Sequence, residues 1–414
     1  MNMTIEMKEI QERVILVGVQ QAAGDDTEES LTELGDLAQT AGAEVVGMII
    51  QRRENIHPGT YVGKGKIEEI RALMWQTDAT GIICDDELSP AQMNNLQDEL
   101  DCKVMDRTLL ILDIFASHAV SGEGKLQVEL AQLRYRAARL TGLGNSLSRL
   151  GGGIGTRGPG EKKLEMDRRL IRTRISHLKR ELEDVVRHRD LIRNQRSRTG
   201  QKIVALAGYT SVGKSALFKA MTGADVLEDA KLFATLDTTT RALKLSKSQE
   251  ILLTDTVGFI RKLPHHLIEA FKSTLEELCC ADILVHVVDA SDENLDNRMH
   301  IVYETLRELG ADKKPVITVF NKQDLLETKH IVPDRHARFV IPCSAHTGQG
   351  INELQDAIAD ILREDKIYIE RLYTYDKAGL IQLIRQKGEL ISEEYLDEGI
   401  SVRAYVGQDI YGRL

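Results

Sequence analysis

Residues 202–221 read Lys-Ile-Val-Ala-Leu-Ala-Gly-Tyr-Thr-Ser-Val-Gly-Lys-Ser-Ala-Leu-Phe-Lys-Ala-Met. A short apolar, β-branched run, Ile203 to Ala207, leads into Gly208-Tyr209-Thr210-Ser211-Val212-Gly213-Lys214-Ser215, and a segment of helical composition follows. The order is strand, glycine-rich turn, helix. Gly208 and Gly213 let the backbone fold around an anion so that successive N–H groups point at phosphate oxygens. Lys214 is placed to reach β- and γ-phosphates, Ser215 to offer its hydroxyl to Mg²⁺, and the helix N-terminus adds its dipole.

Downstream, the residues keep to the same logic. The polar loop Leu232-Phe233-Ala234-Thr235-Leu236-Asp237-Thr238-Thr239-Thr240-Arg241 follows the first helix, where Thr235 is placed to meet Mg²⁺ and the γ-phosphate. Ile251 to Thr254 reads as a strand ending in Asp255-Thr256-Val257-Gly258, whose aspartate suits Mg²⁺ through water and whose glycine N–H suits the γ-phosphate. Ile283 to Val288 and Val316 to Phe320 read as further strands, the second ending in Asn321-Lys322-Gln323-Asp324. Phe339 to Pro342 runs into Cys343-Ser344-Ala345. The Asp324 carboxylate matches guanine N1 and its exocyclic amine, the Lys322 stem lies along the ring, and the Ala345 N–H suits guanine O6. A missing buried partner costs on the order of 1–3 kcal/mol, which selects GTP over ATP. Five such elements in order on strand ends imply a GTPase with a parallel-rich sheet.

Working outward, the 414 residues imply two to four domains, and no apolar run is long enough to span a bilayer. The polar start is unlike a signal peptide. Cys84, Cys102, Cys279, Cys280 and Cys343 lack zinc spacing, and their odd number argues against a disulfide framework. Cys279 and Cys280, ending a helix-like segment, read as core or half-buried. A cytoplasmic protein, monomeric in solution, is expected. The net charge is −10, yet between Ser121 and Gly200 there are 19 Lys and Arg against 9 Asp and Glu, so the remainder carries −20. A basic segment in an acidic chain suggests a surface for a polyanion, although a solvated charged helix has the same composition.

Upstream, alternating strands (13–19, 45–50, 81–86, 103–105) and helices (27–40, 67–75, and one opened by Ser89-Pro90) imply a small α/β domain over residues 1–120. The loop Gly59-Thr60-Tyr61-Val62-Gly63-Lys64-Gly65-Lys66 could seat a phosphate but lacks the P-loop spacing, and a structural turn fits it equally well. Residues 121–200 read as a basic hairpin of two helices, the second from about Lys162 to Gln195. They flank a loop, 143–160, with seven glycines and two arginines, Arg149 and Arg157. Residues 201–364 form the nucleotide domain. Residues 365–414 suggest a small α/β appendage with a helix at Leu380–Ile384 and a strand at Ile400–Val406. The fold class is therefore multidomain α/β, with the P-loop domain preceded by a small α/β domain and a long helical hairpin.

The chain resembles the HflX family of GTPases over nearly its whole length. Outside the nucleotide domain the resemblance rests on Val62-Gly63-Lys64-Gly65-Lys66, Glu87-Leu88-Ser89-Pro90-Ala91-Gln92, Asp106-Arg107-Thr108, Glu123-Gly124-Lys125-Leu126-Gln127-Val128-Glu129-Leu130-Ala131-Gln132-Leu133 and Gly155-Thr156-Arg157-Gly158-Pro159-Gly160-Glu161. It implies binding to the large ribosomal subunit and its RNA, splitting or rescue of stalled ribosomes under stress, and a hairpin loop reaching toward the peptidyl transferase centre. By the same resemblance Ser215 and Thr235 hold Mg²⁺, Phe233 to Asp237 form the first switch and Asp255 to Gly258 the second. Asn321, Lys322, Gln323 and Asp324 then read guanine with Ser344, Ala345 and His346, and Lys214, Thr235 and Gly258 serve catalysis. ATP binding and RNA unwinding are also attributed to the family's N-terminal part, for which this chain offers no second P-loop. Two departures stand out: Ser211-Val212 replaces the family's Asn-Ala, which puts potassium dependence in doubt, and Asp237-Thr238-Thr239 lacks the family's proline. Phe259 stands where many GTPases carry a water-orienting glutamine, so slow intrinsic turnover and stimulation by a partner are expected. Two rival readings are a large-subunit assembly factor and a protein-interaction switch without RNA; the basic hairpin argues against the latter.

Overall fold

The computed structural model describes residues 11–21, 26–147, 159–199, 201–223, 232–233, 237–245, 249–264, 267, 272–328, 331–364 and 366–414. Two compact units emerge. The first comprises residues 1–190 together with 230–237 and 261–273; the second comprises 191–229, 238–260 and 274–414. Two short pieces of the expected nucleotide domain thus belong to the first unit.

In that unit, β1 (Arg13–Gln20), β2 (Glu44–Arg52), β3 (Gly81–Cys84) and β4 (Lys103–Asp106) form a parallel sheet in the order β2-β1-β3-β4. β1 and β3 read as continuous apolar runs because helices cover both faces of a parallel sheet. Its crossover helices are α1 (Thr27–Thr40), α2 (Lys64–Thr77) and α3 (Pro90–Leu100), and α4 (Arg107–His118) follows β4. Ile15, Val17, Ile67, Ile70, Ile82, Leu96 and Val104 form one core. Ser89 starts α3 through a reciprocal capping box with Gln92, with Pro90 in the first turn.

Chain direction across this sheet reverses between β1 and β3, and the carboxyl end of β3 leads into Asp85 and Asp86. Arg107, 1% exposed, reaches Asp85 at 3.0 Å, Glu33 at 3.0 Å, the Ser30 carbonyl at 2.7 Å and the Arg261 carbonyl at 3.0 Å. Lys262 donates to Asp85 at 2.6 Å and Asp86 at 2.8 Å. Burial alone would raise the Asp85 pKa, but Arg107 and Lys262 outweigh it and hold the carboxyl below the usual range. Basic side chains therefore fill the crevice where an open α/β sheet ordinarily offers room for a ligand.

The hairpin follows as α5 (Gly122–Leu147) and α6 (Pro159–Thr199), the latter of 41 residues, about 60 Å at 1.5 Å per residue. Both helices run further than the sequence pattern implied, because charged and polar residues extend them past the apolar stripe. Asp106 holds the middle of α5, accepting from Tyr135 Oη at 2.8 Å and Arg139 at 2.6 Å while capping α4 through the Leu109 N–H. Arg174 pairs with Glu129 through two bonds, of 2.7 and 2.8 Å, and Leu178 is fully buried. Most of the glycine-rich loop, residues 148–158, lies outside the described residues.

The second unit carries a six-stranded sheet in the order β10-β9-β8-β5-β7-β6. Its strands are β5 (Lys202–Gly208), β6 (Thr239–Lys244), β7 (Glu250–Asp255), β8 (Ile283–Asp289), β9 (Val316–Asn321) and β10 (Phe339–Pro342); only β6 runs antiparallel. Sequence reading placed residues 232–241 in a polar loop, yet its end, Thr239–Arg241, opens β6. It is an edge strand, tolerating Arg241 and Lys244 because one side faces no neighbour. Helices α7 (Lys214–Thr222), α8 (Lys272–Cys280), α9 (Leu295–Glu308) and α10 (Ile351–Glu364) accompany the sheet. Cys279 is half-buried, but Cys280 is exposed. Beyond them, β11 (Ile367–Tyr373), β12 (Glu389–Leu396) and β13 (Gly399–Val406) form an antiparallel sheet, order β11-β13-β12, packed on α11 (Ala378–Lys387). Two of these strands escaped the sequence reading: glutamate and arginine interrupt their outward positions and mask the alternation.

Candidate functional site

The site forms where β5, β7, β9 and β10 end. Gly208 adopts φ +156° and Gly213 φ +89°; a Cβ at the first would strike the Val287 carbonyl and at the second the Asn321 side chain. Between them Ser211 takes φ +59° and is exposed, whereas Thr210 and Val212 are buried. Tyr209 is buried beneath the Arg298 guanidinium, 5.1 Å from its ring centre. α7 begins at Lys214 with Gly213 as its N-cap, so the positive end of the helix dipole meets the loop.

Lys214 is 7% exposed and donates to the Gly208 carbonyl at 3.1 Å and the Tyr209 carbonyl at 2.6 Å. Burial lowers its pKa to about 8, partly offset by the Asp255 carboxylate. Ser215 Oγ donates to Asp255 Oδ2 at 2.7 Å. These adjacent hard oxygens at a helix start suit Mg²⁺, a cation that takes oxygen ligands. Thr256 anchors the next turn, donating to the Leu206 carbonyl at 2.6 Å, and Val257 is buried. Gly258 lies so close to the P-loop that a Cβ would stand 2.9 Å from Thr210 Cγ2 and 3.0 Å from Lys214 Nζ. Phe259, 1% exposed, exchanges backbone bonds with Gly208 and Thr210. Its ring is a packing element beneath the loop, and nothing polar at position 259 faces the phosphates.

At the other end Asn321 ties three loops together. Its Nδ2 donates to the Val212 carbonyl at 2.9 Å, and its Oδ1 accepts from the Ala345 N–H at 2.9 Å. That N–H, matched to guanine O6 in the sequence reading, is engaged by Asn321 here. Lys322 takes φ +63° and pairs with Asp289 at 2.7 Å. Ser344 Oγ donates to Asp324 Oδ1 at 2.6 Å, fixing that carboxylate. Gln323 is buried and bonds to the Phe320 and Cys343 carbonyls, away from solvent, and His346 is exposed. Asp289 escaped the sequence reading; a carboxylate closing a buried strand, β8, was the available signal. Behind the loop, His286 is fully buried and burial lowers its pKa to about 4, so it stays neutral.

Of the residues that the sequence reading took as a first switch, Phe233 and Asp237 belong to the other unit. Phe233 is 2% exposed and meets Phe115 edge-on, ring centres 4.7 Å apart. Asp237 is bound by Ser121 and Val120. Ala234, Thr235 and Leu236 lie outside the described residues. Among the described residues, no helix is long and apolar enough to cross a membrane, and no cluster of three or more His, Cys, Asp or Glu could hold a metal ion.

Comparison with known proteins adds three sequence families along the chain: one described as GTP-binding GTPase N-terminal matches residues 28–116, GTP-binding GTPase Middle Region matches 118–196, and 50S ribosome-binding GTPase matches 203–322. A protein named GTPase HflX from Lacrimispora saccharolytica is 60% identical over 410 residues, covering 99% of this chain and 97% of its own. The GTPase HflX of Escherichia coli (strain K12) is 40% identical over 402 residues, covering 96% and 94%. Among solved structures, a GTP-binding protein from the hyperthermophilic archaeon Sulfolobus solfataricus in complex with GDP is 25% identical, with a TM-score of 0.44 over 84% of this chain and 98% of that one.

Proposed function

The chain belongs to the HflX family of GTPases, and we propose that it binds the large ribosomal subunit and couples its GTP cycle to splitting or rescuing stalled ribosomes. Hydrolysis of GTP is its reaction. In our reading Lys214 neutralises the β- and γ-phosphate oxygens, Gly258 offers its N–H to the γ-phosphate, and Asp324 reads guanine with Asn321, Lys322 and Ala345 around it. Ser215 and Thr235 hold Mg²⁺, with Asp255 behind Ser215; the ion supplies charge neutralisation. Since Phe259 is buried, attacking water has no side chain from that position to orient it, and basal turnover is slow.

The observation that carries the ribosomal reading is the outward face of α6. Arg169, Arg172, Lys179 and Arg180 are exposed there, opposite the buried Leu178, and none has an ion-pair partner among the described residues. Four unneutralised cations within three helical turns suit the phosphates of an RNA backbone, whereas a merely solvated helix face is ordinarily laced with opposite charges, as Arg187 is with Glu183 and Asp184. In this reading the protein works in the cytoplasm, on ribosomes. The test pairs sedimentation with light scattering. Pelleting with large subunits should require GTP or a non-hydrolysable analogue and weaken steeply with salt. Replacing residues 145–158 by a Gly-Ser linker of equal length should keep GTP affinity and pelleting yet abolish subunit separation. Separation at the parental rate would show the loop to be a mere connection, and salt-independent pelleting would remove the RNA contact.

A further inference from the structure

We propose that Asp289, which closes β8, is a positioning residue for the base: it tethers the Lys322 ammonium so that the lysine stem is laid out along the guanine ring before the nucleotide arrives. The proposal rests on reading Asn321 to Asp324 as the guanine loop, and all of its residues belong to the second unit.

Asp289 and Asn321 stand opposite each other in the parallel register of β8 and β9, so the carboxylate emerges beside the loop that starts at Lys322. The chain holds that carboxylate from both sides. Oδ1 accepts from the Ser291 N–H at 3.0 Å and from Ser291 Oγ at 2.6 Å, a local turn that fixes the side chain on its own backbone. Oδ2 meets Lys322 Nζ at 2.7 Å. The Asp289 side chain is 13% exposed and that of Lys322 32%, so the pair lies at the rim of the site, only partly screened by water.

Lys322 is an unexpected residue where it stands. Its φ of +63° and ψ of +29° are left-handed, a conformation that glycine or asparagine adopts more readily. The backbone around it is fixed: its carbonyl accepts from the Leu325 N–H at 3.0 Å, and the Asn321 carbonyl accepts from the Ala290 N–H at 2.9 Å. Backbone bonds do not hold a lysine side chain, which is a point charge on four flexible carbons. Without Asp289 the ammonium would have Asp324, two residues on, as the next carboxylate along the loop, and that is the group our reading gives to guanine. Asp289 answers both problems. It neutralises the ammonium away from Asp324, and, being pinned by Ser291, it orders the stem in the free protein, so that less freedom is lost when a base docks. The strain at Lys322 is then the cost of aiming the side chain at its tether.

Asp289→Asn is the decisive variant. Its amide oxygen still accepts from Ser291 and keeps the turn, while its amide nitrogen, a donor, cannot pair with the ammonium. It should raise the Kd of GDP and of a non-hydrolysable GTP analogue alike about tenfold, equivalent to 1.4 kcal/mol at 25 °C. Tripolyphosphate, which offers the phosphates without a base, should displace fluorescently labelled GDP with an inhibition constant within about twofold of the parent's, a readout that also confirms the fold of the P-loop. Lys322→Met keeps the stem and removes the charge; in that background Asp289→Asn should cost less than about twofold, since no ammonium remains to be tethered. Unchanged GDP affinity in Asp289→Asn overturns the proposal. So does an equal loss for tripolyphosphate, which would make Asp289 a merely structural end to its strand, and so does a full tenfold cost in the Lys322→Met background. Asp324→Asn separates the two levels. If it turns preference from GTP to XTP while Asp289→Asn is silent, only the positioning role fails; if it does not, the reading of the base loop is wrong and the proposal falls with it.

Discussion

Lys214 should titrate near pH 8 in the nucleotide-free protein, and affinity for guanine nucleotides should follow that titration. The ammonium is buried, its hydrogen bonds end on the Gly208 and Tyr209 carbonyls, and its pKa is lowered from 10.5 to about 8. A bound polyphosphate brings negative charge against it, so its pKa rises on binding and a proton is taken up wherever the free lysine is neutral. With a pKa of about 8, roughly nine-tenths of the free protein carries the charge at pH 7, half at pH 8 and about a tenth at pH 9. Kd should accordingly rise about tenfold between pH 7 and pH 9, with roughly half a proton taken up per nucleotide at pH 8. Calorimetry in buffers of different ionisation enthalpy, from pH 6.5 to 8.5, measures both quantities. Uptake below about a tenth of a proton at pH 8 would mean that Lys214 keeps its charge despite burial. The linkage has a second sign: since the folded pKa is lowered, the free protein gains stability from this group as pH rises from about 8 toward 10.5.

Three further outcomes follow from named contacts. Asp324→Asn should turn base preference from guanine to xanthine, and Ser344→Ala, which strips the 2.6 Å bond from Asp324, should raise the GDP Kd about fivefold; an Asp324→Asn protein that still prefers GTP over XTP removes that residue from base reading. Phe259→Gln should not accelerate basal hydrolysis, because position 259 is buried, and should cost about 2–4 kcal/mol in urea unfolding, while large subunits raise the parent's kcat at least about tenfold; a faster Phe259→Gln enzyme would show that the position does face the attacking water. Arg107→Met should cost about 3 kcal/mol, since it takes a buried counter-charge from Asp85 and Glu33, and a loss below about 1 kcal/mol would show that Lys262 suffices.

What could be read from the sequence followed the range of the interactions. The P-loop, the serine cap and proline at Ser89-Pro90 and the buried strands are local, and each writes its own pattern into a dozen residues. The loops assigned to guanine in our reading were legible as short motifs, but the bonds that hold them, Asn321 to Val212 and Asp289 to Lys322, span 109 and 33 positions and leave no local trace. Edge strands were harder: β6, β11 and β12 are each half solvated, so polar residues break their alternation. The motifs outside the nucleotide domain were visible as strings without a reason. Asp106 now has one as the anchor of α4 and α5, Arg107 as the fill of the sheet crevice, and Gly124 as the space for Asp237. Each depends on a partner distant in the chain.

The chain leaves the six-stranded sheet twice, at 230–237 and again at 261–273, and each excursion packs with the first unit before returning. A recombinant fragment cut at residues 201–364 would therefore not be a smaller version of the same enzyme. It would carry Phe233 and Leu267, both buried in the whole protein, as newly wetted apolar surface, and Arg261 and Lys262 without their carboxylates. Rates and solubility measured on such a piece describe severed loops. By the same token, neither half of the gene is free to drift alone: a substitution at Asp85 or Ser121 is felt in the other half, so grafting the front of one relative onto the back of another should fail unless these contacts travel together.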